Sequence, residues 1–213
     1  MRFETLLDIV GHEPVFETGL LLAGDVDSDD VRRQLSRWER GGKIFQLRRG
    51  LYALAPPYAK SRPHPFLVAN RLVPGSYVSL QSALGSFSLI PEAVPVTTSV
   101  TLGRPGRWET PLGVYDFRHI QPDLFVGFRR TQVTAGQDAF VATPEKALLD
   151  LVYLEPEADS PVYLEELRLQ NLDTLDLGAL HRLAEQLGKP KLRRAAAVIA
   201  EIAEAEARDY VAL

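Results

Sequence analysis

The chain has 213 residues, 46 % apolar and 24 % charged, with no cysteine and a formal net charge of −4. That length and apolar share suit one large domain or two unequal ones, and the ordinary charge content excludes global disorder. The lack of cysteine removes disulfide frameworks, thiolate zinc sites and thiol nucleophiles together, and it fits a reducing compartment.

Residues 2–10 put Phe3, Leu6, Leu7 and Val10 at helical spacing with Gly11 as the stop, which predicts a first short helix. Arg2, Glu4 and Asp8 interrupt the apolar run, so it does not have the form of a signal peptide, and no later run has the length of a membrane span. The expectation is a cytoplasmic protein that does not engage a membrane. Pro14 opens a second short helix, with Val15, Phe16, Leu20, Leu21 and Leu22 as its apolar bulk and Ala23-Gly24 as its end.

Ser28 suits the N-cap of a third helix running to Gly41, and Asp29 and Asp30 in its first turn complement the helix dipole. At 100° per residue Val31, Leu35 and Trp38 share one stripe, while Arg32, Arg33, Ser36, Arg37 and Arg40 fall on the other side. After Gly41-Gly42, Ile44 to Leu47 and Leu51 to Leu54 form two strands joined by an Arg48-Arg49-Gly50 turn, a short basic β-ribbon. Three helices followed by a ribbon is the winged-helix arrangement, in which the third helix enters the DNA major groove.

The charge is distributed to match. Between Val31 and Pro63 lie Arg32, Arg33, Arg37, Arg40, Lys43, Arg48, Arg49, Lys60 and Arg62 against the single acid Glu39, a local charge of +8. The rest of the chain therefore carries −12. A basic segment on an acidic body points to one surface that faces a polyanion. Arginine clusters repel themselves unless an anion neutralises them, and guanidinium grips phosphate or guanine with two parallel hydrogen bonds. On this reading Arg32, Arg33, Ser36 and Arg37 meet base edges of double-stranded DNA, and Arg40, Lys43, Arg48 and Arg49 hold phosphates.

Pro56, Pro57, Pro63 and Pro65 mark a linker, which divides the chain into a winged helix at 1–57 and a mixed α+β domain at 64–213. In the second domain a helix is expected over 77–90, then strands over 96–102 and 114–120 around a tight Gly103-Arg104-Pro105-Gly106 hairpin loop. Further strands are expected over 124–130 and 139–142. Thr143-Pro144-Glu145 starts a helix whose buried face is Ala147, Leu148, Leu151, Val152 and Leu154. The last third reads as a bundle-like helical segment over 162–169, 177–187 and 191 to about 209, the last two divided by Gly188-Lys189-Pro190.

Other patterns have plain explanations. Asp25-Val26-Asp27-Ser28-Asp29 imitates the opening of a calcium loop, but Asp30 stands where glycine is required and Ser36 where a bidentate glutamate is required. His12, His64, His119 and His181 lack paired spacing, so no metal is expected, and no cofactor either, since the glycine pair at 103–106 lacks a nucleotide-binding spacing. No serine lies in a nucleophile elbow, and Glu165 and Glu166 are adjacent on a helix and do not face each other. The chain is expected not to be an enzyme. Lys189, Lys191, Arg193 and Arg194 form a second basic cluster where cations oppose the dipole of the final helix.

Several stretches resemble the AbiEi antitoxins, transcriptional regulators of abortive-infection toxin–antitoxin pairs. They are 35–54 (LSRWERGGKIFQLRRGLYAL), 77–91 (YVSLQSALGSFSLIP), 142–153 (ATPEKALLDLVY), 164–169 (LEELRL) and 190–196 (PKLRRAA), in order along almost the whole chain. The resemblance implies an antitoxin that represses its own operon at inverted repeats and counteracts a nucleotidyltransferase toxin. It also implies a contribution of the C-terminal domain to DNA or partner binding, through Lys189, Lys191, Arg193 and Arg194 and through Arg129 and Arg130. The alternative is an antitoxin that neutralises its toxin by direct binding, with DNA binding secondary.

Overall fold

The computed structural model describes residues 1–23, 26–91 and 94–211, with side chains as far as 206. Helix α1 (Phe3–Val10) buries Phe3, Leu6 and Val10 and ends at Gly11, whose φ of +59° suits glycine. The second helix is shorter than its apolar bulk implies. Phe16 and Glu17 form strand β1, and only Thr18–Leu21 is helix α2. Phe16 is drawn into the ladder because its ring stacks on Tyr52 across the strand pair, with centroids 5.7 Å apart. Gly24, the expected stop, lies outside the described residues.

Helix α3 (Ser28–Arg40) is capped by Asp27 instead of Ser28: the carboxylate accepts from the amides of Asp29 at 2.8 Å and Asp30 at 3.4 Å. Aspartate one position earlier satisfies the same orphan donors. Strands β2 (Ile44–Arg48) and β3 (Leu51–Leu54) follow, antiparallel, and a three-stranded sheet forms in the order β1-β3-β2. Every residue of β3 is buried, and the period-2 alternation explains how. Tyr52 and Leu54 face the core made by α1 and α3, whereas Leu51 and Ala53, with Leu47 and Val15, join the core of the larger body. The small sheet is thus shared by two cores.

The segment read as a linker ends in a helix. Pro65 occupies the first turn of α4 (Pro65–Leu72), capped by His64, whose Nδ1 accepts from the Phe66 amide at 3.2 Å. The helix expected over 77–90 divides into strand β4 (Tyr77–Val78) and helix α5 (Leu80–Ser86). Tyrosine and valine are recruited into the middle of a six-stranded sheet, ordered β6-β7-β5-β4-β9-β8. Its other members are β5 (Val96–Thr101), β6 (Gly106–Thr110), β7 (Gly113–His119), β8 (Phe128–Thr134) and β9 (Gln137–Ala142).

The loop at 103–106 does not join neighbouring strands. It carries the chain past one strand position to β6, and β7 then returns between β6 and β5, parallel to β5. The strand expected from Leu124 begins at Phe128, because Pro122–Leu124 forms a 3-10 turn and Gly127 takes a φ of +78°. Thr143 caps α6 (Pro144–Leu154) as expected, accepting from the Lys146 amide at 3.3 Å. Helices α7 (Pro161–Glu166), α8 (Leu177–Leu187) and α9 (Pro190–Val211) complete a mixed α+β fold in which α6, α8 and α9 pack together. Among the described residues no helix is long and apolar enough to cross a membrane.

Candidate nucleic-acid interface

The helical period separates α3 into two arcs. Val31, Leu35 and Trp38 are buried beside Phe3 and Ile44, which fixes the rotation of the helix. Arg32, Arg33, Ser36, Arg37 and Arg40 are exposed, and at 100° per residue they span an arc of about 140°.

These cations differ in what surrounds them. Arg32 pairs with Asp29 at 3.0 Å and Arg33 with Asp30 at 3.8 Å, both as exposed i,i+3 contacts worth under about 1 kcal/mol. Asp30 also accepts from the Met1 ammonium at 3.2 Å, which holds its carboxyl below the usual range. Arg40 donates to the Ser36 carbonyl at 3.3 Å. Arg37 has no side-chain partner among the described residues.

The ribbon cations do not act together. Arg49 is exposed without a side-chain partner among the described residues, at the turn beside Gly50 with its φ of +83°. Arg48 is turned inward, donating to the backbone carbonyl of Arg71 at the end of α4 and lying 4.0 Å from Glu17. Lys43 is half-buried, its ammonium 4.5 Å above the Phe3 ring and 5.9 Å from that of Tyr58. Both serve the protein's own packing.

The second basic cluster is largely matched by local acceptors. Lys189 meets Asp123 at 3.2 Å and Arg193 meets Glu185 at 2.9 Å. Arg194 grips Asp159 through two nitrogens at 2.9 and 2.6 Å, and Lys191 donates to the Glu155 carbonyl. Arg130 pairs with Asp138, while its neighbour Arg129 is exposed.

The 142–153 block carries a feature that its spacing did not announce. Lys146 and Asp150, one turn apart on α6 and each only 1 % exposed, form a buried ion pair. The hydroxyls of Tyr77 and Ser79 donate to the same carboxylate at 2.9 and 2.7 Å. Burial pushes the Asp150 carboxyl up, against the lowering by Lys146 and the two hydroxyls. An i,i+4 Lys–Asp pair is commonplace on helix surfaces, and the sole signal of burial was its flanking by Ala147, Leu148, Leu149 and Leu151. The network joins α6 to the sheet centre. Among the described residues no group of three or more histidines or acids is placed to hold a metal.

The class defined by this fold is a mixed α+β protein with an exposed arginine arc on one helix. The chain matches no family model and no curated protein.

Proposed function

We propose that α1 to β3 is a winged helix-turn-helix and that the chain is a sequence-specific repressor of double-stranded DNA. One observation carries the reading: α3 is clamped by Val31, Leu35 and Trp38, so that its arginine arc is held outward on a rigid element. A major groove about 12 Å wide admits one helix, and residues on a single face then reach base edges. Arg33, Ser36 and Arg37 are assigned to base edges, Arg40 and Arg49 to phosphates. Arg32, leaning on Asp29, joins once phosphate displaces that acid.

The resemblance to AbiEi antitoxins extends the proposal. The chain would act in the cytoplasm, repress its own operon at inverted repeats and counteract a nucleotidyltransferase toxin, with no reaction of its own. The acidic body and the matched cations of α9 favour DNA contact through the N-terminal unit alone.

Fluorescence anisotropy with a duplex from immediately upstream of the gene, and a scrambled duplex of equal length, tests this at two salt concentrations. Specific binding should exceed non-specific binding by about 10³-fold or more. Equal affinity for the two duplexes would remove the repressor reading.

A further inference from the structure

A cavity of about 560 Å³ lies where the N-terminal unit meets the body, within the size range of small-molecule sites. Pro14 and Val15 wall it from one side, and Arg71, Ser76 and the rings of Phe125, Phe128 and Phe140 from the other. We propose that this cavity binds a planar aromatic anion.

Recognition of a flat ring rests on the three phenylalanines. Phe128 stacks on buried Tyr77 at 4.4 Å and 8°, and Phe125 meets both rings edge-on at 5.0 Å. Tyr77 is itself held by Asp150, so that the wall is rigid. Phe140 stands edge-on to Phe128 at 6.2 Å and leaves 46 % of its surface exposed. A large aromatic side chain held open in a concave site gains contact area from a flat partner.

Recognition of negative charge rests on Arg71. Its guanidinium is exposed without a side-chain partner among the described residues, and its carbonyl draws in the guanidinium of Arg48, so two cations stand at this end. Of the two acids in the lining, Asp138 is neutralised by Arg130, and Glu13 is exposed. Flat rings and an unmatched guanidinium together select an aromatic carboxylate or a ligand of like chemistry. Such a site would stand whether or not α3 binds DNA.

Isothermal titration of the full chain with 2-naphthoate, 2-naphthylmethanol and cyclohexanecarboxylate tests ring and charge separately. Naphthoate should bind at one site, about tenfold tighter than either comparator. Arg71→Gln should abolish its advantage over the alcohol, and Phe140→Ala its advantage over the non-aromatic acid. Both side chains are exposed, so both variants should keep the wild-type circular dichroism. Absence of saturable naphthoate binding, equal affinity for the three probes, or indifference to both substitutions would overturn the proposal.

Discussion

Arg48 fastens the ribbon to the body through Arg71: its Nε and Nη2 donate to the Arg71 carbonyl at 3.4 and 3.2 Å. That carbonyl lies in the last turn of α4, where backbone acceptors lack helical donors and a cation also complements the dipole. Arg48 is therefore a fastener, although it sits beside the exposed Arg49. Arg48→Ala should cost about 1–2 kcal/mol in urea unfolding while leaving the salt dependence of DNA binding unchanged. Intact stability with a shallower salt dependence would reverse the assignment.

Arg37 and Arg49 are both exposed and unpaired among the described residues, yet different losses are expected from them. Arg37→Ala should cost about 1–3 kcal/mol on the cognate duplex and relax preference at one base position. Arg49→Ala should weaken cognate and scrambled duplexes alike. Binding to a panel of single-base operator variants separates the two patterns, and identical profiles would refute the division.

The α9 cations should be dispensable for DNA. Replacing both Arg193 and Arg194 by alanine is expected to change DNA affinity by less than about twofold, since their charges are matched by Glu185 and Asp159. A tenfold loss would restore them to the interface.

The same ion pair predicts a pH effect. Arg194 holds the Asp159 carboxyl below its ordinary value of 3.8, so the pair contributes stability above that value and loses it as the pH falls through the lowered native value. The contribution is at most about 1 kcal/mol for so exposed an arginine. Urea midpoints followed from pH 5 to pH 2, a range of about three units spanning carboxyl titration, should fall less steeply in Asp159→Asn than in the wild type. Parallel curves would show the pair to be inert.

Lys146→Met should be the most damaging single change, costing about 3–5 kcal/mol, because it leaves Asp150 buried without its cation. Lys146→Met combined with Asp150→Asn keeps an acceptor for Tyr77 and Ser79 and should lose less than Lys146→Met alone. A double variant worse than the single would mean that the pair does not act as a unit.

Local chemistry is legible in the sequence wherever it suffices to define an element. The amphipathic arcs of α3, the Thr143 cap and the bounds of α8 between Asp176 and Gly188 all follow from short-range periodicity and capping. Tyr77 and Val78 pass for helix in the sequence because the ladder partners that make them a strand, Val100 and Val141, lie far along the chain. Helix α4 is hidden because Pro65 serves a helix start as well as a linker. The exposed cations of α3 can be sorted from sequence, whereas the capture of Arg48 by Arg71 and of Lys43 by Phe3 depends on tertiary neighbours.

The salt dependence of binding to the upstream duplex, compared between the wild type and a variant with Arg33, Arg37 and Arg40 all changed to alanine, bears most directly on the arginine arc of α3. Affinity should fall steeply with salt in the wild type, and in the variant the slope should be shallower by about 0.9 for each phosphate no longer neutralised, with sequence discrimination gone. The same slope and the same discrimination in both proteins would take the arginine arc out of the DNA interface.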